Sequence, residues 1–157
     1  MKNSRLLVAI AIALLSAALL AGCGGVSKSE YEKDVKKVAS KVEKDLDKLD
    51  SGTPTAKDLE TAKGTLEDAA DDLEDIEAPS EVEDLHDDLV STLRDTSKLM
   101  DEMSPLMEKA SKDPTSLGEK ELEDMNEITT KFGDIEKRMA KIEAGYKKKK
   151  YSVGLES

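Results

Sequence analysis

Residues 59–76 read LETAKGTLEDAADDLEDI, and their apolar positions recur every three or four residues. This spacing puts them on one face of an α-helix, which turns once in about 3.6 residues. Leucine alternates with alanine along that face, so a neighbouring helix can approach closely. The positions are Leu59, Ala62, Leu66, Ala69, Leu73 and Ile76. The stretch therefore predicts one helix of an all-α protein, between Pro54 and Pro79.

The same spacing predicts three more helices. The first runs from about residue 29 to residue 49, with capping-box spacing at either Ser29 and Glu32 or Ser27 and Glu30. The third follows Pro79 and has the widest apolar face, so we expect it at the centre of the core. The fourth follows Pro114 and Gly118. The expected core positions are Tyr31, Val35, Val38, Val42, Leu46 and Leu49; Val82, Leu85, Leu89, Val90, Leu93, Leu99, Met100 and Met103; Leu122, Met125, Ile128, Phe132, Ile135, Met139 and Ile142.

Short turns between helices of similar length predict an antiparallel up-down-up-down four-helix bundle over residues 29–145. The alternative is a three-helix bundle with the last helix detached. Pro105 lacks the amide hydrogen that a helix interior needs, so the third helix should kink there or restart. We favour a restart with Ser104 as the cap, ending near Ala110. Residues 146–157 are interpreted as a basic, frayed tail.

The first residues have a different composition from the rest. Lys2 and Arg5 precede an apolar run from residue 6 to residue 20 that only Ser16 interrupts, and small residues follow. The run is shorter than the roughly 20 apolar residues of a transmembrane helix. This pattern indicates a cleaved secretory signal peptide. The alternatives are an uncleaved membrane anchor and a buried core helix.

Leu20-Ala21-Gly22-Cys23, at the end of this run, resembles the lipobox of bacterial lipoproteins. In that family a signal peptidase cuts before the cysteine, whose thiol carries a diacylglycerol. The resemblance implies that residues 1–22 are removed, that Cys23 is lipidated, and that residues 23–28 tether the domain. It also implies a lipid anchor in the cell membrane, on the extracytoplasmic face.

A second pattern combines Ala78-Pro79-Ser80-Glu81 with Leu85-His86-Asp87-Asp88-Leu89. It is similar to one that recurs in small helical lipoproteins of Gram-positive bacteria. The resemblance supports the helical architecture and implies no activity.

Charge and motifs exclude several functions. The chain has 24 cations and 35 acids, a net charge of −11, and removal of Lys2 and Arg5 with the signal peptide leaves −13. Such an acidic domain is not expected to bind nucleic acid, which requires a basic face. The sequence contains no glycine-rich phosphate loop, HExxH, CxxC or GxSxG motif, and it predicts no cofactor. Cys23 is the single cysteine, and lipidation would occupy its thiol.

Two groups of residues could take part in chemistry. His86 is the single histidine and is expected to be half-exposed at the rim of a helical hairpin; a catalytic role would need partners that the sequence does not identify. Met100, Met103 and Met107 are spaced three and four apart, so they could bind Cu(I) or fill the core, and core packing is favoured. Haem ligation is disfavoured because nothing in the chain attaches haem.

Charge is also unevenly distributed. Residues 67–88 contain twelve acids and no lysine or arginine. This acidic hairpin could be a solvated surface, a patch neutralised by basic residues elsewhere, or a weak divalent-cation site. Lys147, Lys148, Lys149 and Lys150, here called the lysine cluster, are expected near Glu74, Asp75 and Glu77, because the bundle topology puts them at one end.

From the sequence we expect a non-enzymatic, membrane-anchored extracytoplasmic lipoprotein whose helices contact an envelope protein or wall component. A metal-binding lipoprotein, using the methionines for Cu(I) or the acidic hairpin for a divalent cation, is the alternative.

Overall fold

The structure, a computed structural model, describes residues 26–49 and 55–155. The predictions for the signal peptide, for Cys23 and for the turn at residues 50–54 lie outside the described residues. The described chain is helical and contains no β-strand, so the all-α prediction is confirmed. The elements are α1 (Lys28–Leu46), α2 (Ala56–Glu74), α3 (Glu83–Lys112), a short 3-10 helix (Pro114–Ser116) and α4 (Glu119–Lys148). None of these helices combines the length and apolar character needed to cross a membrane.

Consecutive helices pack against each other: α1 on α2, α2 on α3, and α3 on α4. Ion pairs show that α2 and α3 run in opposite directions, since Lys63 meets Asp101 and Asp71 meets Arg94. The ion pairs between α3 and α4 follow the same opposite order: Asp95 with Arg138, Glu102 with Lys131, and Lys109 with Glu121. This pairing fits the expected up-down-up-down arrangement.

Side-chain caps fix the starts of α1 and α2. The Ser27 hydroxyl accepts from the Glu30 amide at 3.3 Å and donates to Glu30 Oε2 at 2.8 Å, so Ser27, from the second of the two predicted pairs, is the N-cap of α1. At α2, Thr55 and Asp58 form a reciprocal capping box. Each cap satisfies amides that would otherwise lack a partner at the helix start.

The core is concentrated at the end of the bundle where α1 and α3 begin and where α2 and α4 end. The apolar face of α2 is buried as predicted, with Ile76 half-buried. The members of the buried cluster are Tyr31, Val35, Val38, Ala69, Ala70, Leu73, Val82, Leu89, Val90, Ile142, Tyr146, Tyr151 and Val153. All of them lie within the described residues after Cys23, so the chain without its first 22 residues contains this whole core.

At the other end, α3 and α4 extend beyond α2. The first residue of α2, Ala56, lies opposite Ser104, whose hydroxyl is 3.5 Å from its carbonyl oxygen. The eight remaining residues of α3 add about 12 Å of helix. Leu122, expected in the core, is 53% exposed on this projecting hairpin, so that prediction is wrong.

The predicted restart at Pro105 is also wrong, because α3 continues through it to Lys112. Proline deprives the carbonyl four residues earlier of its amide partner. That residue, Asp101, is exposed, as is Pro105 itself, so water can solvate the unpaired carbonyl. Ser104 does not cap a new helix and instead faces the start of α2.

Gly145 does not end the last helix, since α4 runs on to Lys148. A Cβ atom at residue 145 would lie 2.6 Å from Leu85 Cδ2 and 3.4 Å from Leu85 Cγ. The whole Leu85 side chain occupies that space, so the glycine permits α3 and α4 to approach closely. Gly145 therefore permits close helix packing and does not end the helix.

Gly145→Ala should therefore destabilise the protein by about 1–3 kcal/mol, because the added methyl group overpacks the contact with Leu85. Gly133→Ala is the matched control, since it is in the same helix and a Cβ there would meet no atom within 4 Å. The control should gain up to about 1 kcal/mol from helix propensity. Urea denaturation of both variants measures this, and a stabilised Gly145→Ala variant would contradict the close approach.

Candidate functional site

Residues 149–155, which follow α4, are ordered by a turn and do not form the frayed tail predicted from the sequence. Lys150 adopts a left-handed conformation with φ of 63°. The Tyr151 amide donates to the Tyr146 carbonyl at 2.9 Å, and the Lys150 amide to the Lys147 carbonyl at 3.0 Å. These two bonds form a Schellman motif, which reverses the chain after α4. The prediction failed because it was based on the four lysines of this segment and not on the apolar residues beside them.

After this turn, residues 151–155 lie between α1 and α4, and we call them the strap. Within the described ranges, α1 and α4 have no backbone contact of their own. The strap fills the space between them: Gly154 lies against Lys36 and Ala39 of α1, and Val153 is buried. The Ser152 amide donates to Glu32 Oε1 of α1 at 2.8 Å. One side of the bundle is thus closed by the strap.

The three tyrosines of the chain, one of which belongs to the strap, cluster with its single histidine. Tyr31 is at the centre: its ring centroid is 5.6 Å from that of His86, 6.3 Å from Tyr146 and 5.9 Å from Tyr151. Tyr31 and Tyr146 are almost fully buried, and His86 is 5% exposed. The expectation of a half-exposed histidine is therefore wrong, because Tyr31 of α1 packs on the imidazole and the bond to the Leu73 carbonyl holds it against α2.

One assignment of donors and acceptors satisfies every polar group in this cluster. The Leu73 carbonyl can only accept, so His86 Nε2, 3.0 Å away, donates to it. The neutral imidazole then accepts at Nδ1 from the Tyr31 hydroxyl, at 3.0 Å. Tyr146 donates in turn to the Tyr31 oxygen at 2.6 Å. Among the described residues, no buried side-chain polar atom lacks a partner.

Burial decides the protonation states in this cluster. It lowers the pKa of His86, an effect that the bond to Leu73 and the charge of Asp87 oppose only in part. Burial, reinforced by the contact with Tyr146, raises the pKa of Tyr31 strongly. Burial also raises the pKa of Tyr146, and burial together with the hydrogen bond to Glu81 raises that of Tyr151. At neutral pH the cluster is uncharged.

A cleft of about 840 Å³ runs along α3 beside the acidic hairpin, and His86 is among its lining residues. Carboxylates of Glu74, Glu77 and Asp87 line it together with Arg94. Both ring nitrogens of His86 are already engaged, by Tyr31 and by Leu73. The imidazole therefore offers no free nitrogen to a molecule in the cleft.

The acidic hairpin is partly neutralised by basic residues from other helices, the second of the three interpretations. Arg94 Nη2 lies 2.8 Å from both Asp71 Oδ1 and Glu74 Oε2. Lys41 Nζ of α1 lies 2.7 Å from Asp72 Oδ2. Across residues 26–49 and 55–155, no group of three or more His, Cys, Asp or Glu side chains is arranged to hold a metal ion.

The methionines lie far from the histidine. Met100, Met103 and Met107 are all half-buried on α3. Fourteen residues of continuous helix separate His86 from Met100, a distance of about 21 Å. The structure therefore does not bring the thioethers and the imidazole into one site.

The lysine cluster is exposed at the end of α4 and makes no ion pair with any described residue. Its expected partner Glu74 is paired with Arg94 instead. Lys28 Nζ of α1 donates to the Lys150 carbonyl oxygen and lies 4.7 Å from the centre of the Tyr151 ring. The cluster is thus held at the start of α1, as the topology required, but it does not neutralise the acidic hairpin.

Some of these features had a signal in the sequence. The apolar spacing of α4 continues from Met139 and Ile142 to Tyr146, so that tyrosine could have been assigned to the core. The strap could not be located, because five residues after a turn carry no helical periodicity. In the comparisons with protein families, curated proteins and solved structures, no match to this chain was found.

The buried neutral histidine predicts acid sensitivity well above the pH range in which carboxylates titrate. Since the pKa of His86 is lower in the folded chain than in the unfolded chain, the unfolded chain binds its proton first as the pH falls. Stability should be complete above pH ~6.5 and decrease as the pH falls below that value. Urea denaturation at pH ~7.5 and ~5.5, monitored by tyrosine fluorescence, measures the loss.

His86→Gln is the control for this measurement, since its amide can donate and accept but does not titrate in this range. It should be less stable than the wild type at pH ~7.5 and nearly insensitive to pH above ~5.5. An equal dependence on pH in the two proteins would assign the effect to carboxylates and contradict a histidine that is buried in its neutral form.

Proposed function

We propose that this chain is a membrane-anchored extracytoplasmic lipoprotein whose helical domain is a non-enzymatic interaction module. The observation that carries the proposal is the lipobox-like stretch Leu20-Ala21-Gly22-Cys23 at the end of a short apolar run. The position where the helical domain begins supports it. Val26 packs against the core and Ser27 caps α1, so only three residue steps, about 10 Å at most, separate Cys23 from the folded domain.

This short connection gives the domain a defined proximal end. The start of α1, the turn between α2 and α3 and the end of α4 all lie there, close to the tether. The opposite end is the α3–α4 hairpin, and α3 alone spans about 45 Å. A domain held in this way presents the hairpin farthest from the membrane.

Two features of the structure favour binding over catalysis. The single histidine is committed to a buried chain of hydrogen bonds and stabilises the packing of the helices. The projecting hairpin carries the exposed Leu122 and the half-buried Leu106, Met107 and Met125. Flexible methionine side chains adapt to partner surfaces, and exposed apolar residues at a helix tip are available for contact. An envelope protein or wall component is the expected partner.

Cys23→Ala should abolish lipidation and leave an uncleaved precursor. Metabolic labelling with a fatty acid in a bacterial host, followed by membrane fractionation, measures both effects. Gly25→Ala, two residues further on, is the matched control and should be processed and labelled as in the wild type. A Cys23→Ala protein that is still cleaved and labelled would overturn the lipid anchor.

Photo-crosslinking in intact cells tests the interaction surface. With a photoreactive amino acid at position 122, we expect a discrete crosslinked product that depends on Cys23. The same group at position 148, which is exposed at the proximal end, should not give that product. An identical product from both positions would show that the hairpin is not the binding surface.

A further inference from the structure

The lysine cluster is a run of four consecutive exposed lysines, and none of them forms an ion pair with a described residue. Some cations elsewhere on the surface are paired, such as Arg138 with Asp95 and Lys63 with Asp101. The other lysines that form no ion pair with a described residue are dispersed over α1, α2 and α4: Lys33, Lys36, Lys37, Lys44, Lys57 and Lys141. The favourable dipole at the end of a helix accounts for lysines in the last turn of α4. It also favours Lys149 and Lys150, which lie directly beyond the carbonyl end of that helix. The four adjacent cations form one positively charged patch that is open to an anionic ligand outside the domain.

Backbone contacts fix this cluster beside the tether. The Lys150 carbonyl accepts from Lys28, the first residue of α1. The Schellman motif holds residues 147–150 in one conformation, and the burial of Tyr151 holds the motif against α1. The cluster is consequently preorganised, and little backbone order has to be gained when it binds.

Distance and screening identify the ligand. A tether of about 10 Å between Cys23 and Val26 brings the cluster close to any bilayer in which the lipid is inserted. At physiological ionic strength, charges interact over about 8 Å. The lysines lie near that range. The acids of the turn between α2 and α3 lie at the same end of the bundle, where the Glu81 carboxylate accepts from the Tyr151 hydroxyl beside the cluster. A negatively charged lipid surface would attract the lysine cluster and repel those carboxylates, so the contact requires the lysines to face the bilayer.

We propose that Lys147, Lys148, Lys149 and Lys150 bind the anionic headgroups of the membrane to which the chain is tethered. This inference rests on the proposed lipid anchor, which supplies the bilayer. The diacylglycerol would supply the anchor, and the lysines would add an electrostatic contact at the same end of the domain. The contact would orient the bundle with its α3–α4 hairpin pointing away from the bilayer.

The test uses the chain from residue 23 with Cys23→Ser, which keeps the whole described core and cannot be lipidated. Its sedimentation with vesicles of phosphatidylcholine alone is compared with its sedimentation with vesicles that also contain phosphatidylglycerol. We expect binding only to the anionic vesicles, and weaker binding as salt is raised. Replacing all four lysines of the cluster with glutamine should reduce the partition coefficient by at least about a hundred-fold, since each lysine near an anionic surface contributes about five-fold.

The matched control replaces four exposed lysines at the opposite end, Lys44, Lys57, Lys112 and Lys120, with glutamine. It changes the net charge by the same amount and should leave vesicle binding unchanged or slightly weaker. Tyrosine fluorescence of both variants reports whether the tyrosine cluster is intact. Equal losses in the two variants, or no binding of the parent protein to anionic vesicles, would overturn the proposal.

A separate arm replaces the vesicles with soluble polyphosphate. Retention of polyphosphate without vesicle binding would assign the cluster to a wall polymer and overturn the membrane contact. Because this protein carries no lipid, the result is independent of the fatty-acid labelling at Cys23. A failed anchor with intact vesicle binding and an intact anchor without vesicle binding are thus distinguishable outcomes.

Discussion

The arrangement of the helices depends on the hydroxyl group of Tyr31. Through it, three consecutive hydrogen bonds run from Tyr146 of α4 to Tyr31 of α1, on to His86 of α3, and from there to the Leu73 carbonyl of α2. Each of the four helices contributes one member. A buried donor or acceptor that loses its partner costs about 1–3 kcal/mol, so no helix can shift without leaving another group unsatisfied. Apolar packing brings the helices together, and this chain of bonds specifies their relative positions.

The size of the tyrosine side chains has a second effect on the architecture. Two rings that meet through their hydroxyl groups keep the backbones of α1 and α4 apart, and a direct contact of smaller side chains would bring them closer. The resulting space is filled by the strap, with Val153 buried in it and Tyr151 packed on Tyr31. The bundle is therefore closed on this side by an extended segment, which explains why a chain with four amphipathic helices has three helix–helix interfaces among its described elements.

Helical periodicity was sufficient to predict the number of helices and most of the core. The face of α2 from Leu59 to Leu73 is buried as expected, because its spacing leaves no other way to cover those side chains. The wrong predictions, at Pro105, Gly145 and His86, have a common origin. Each was inferred from the local preference of one residue, and contacts with other parts of the structure decide the outcome. These contacts depend on how the helices pack, so periodicity could not indicate them. They are the solvent access of the carbonyl that Pro105 leaves unpaired, the space that Leu85 takes beside Gly145, and the Tyr31 hydroxyl that bonds His86. The lipobox is a different case, since residues 1–25 lie outside the described part and the motif alone supports the anchor.

The strap also affects when α1 can reach its final state. In the order of synthesis, Tyr31 is made 115 residues before Tyr146 and earlier still than Tyr151, yet its hydroxyl and ring require both. Contacts between residues so far apart form late, because a long loop must close before they contribute. Until α4 is in place, the Tyr31 hydroxyl can bond His86 of α3 but lacks the Tyr146 donor, and the side of α1 that the strap covers stays open. The first helix to be synthesised is thus among the last to be completely packed.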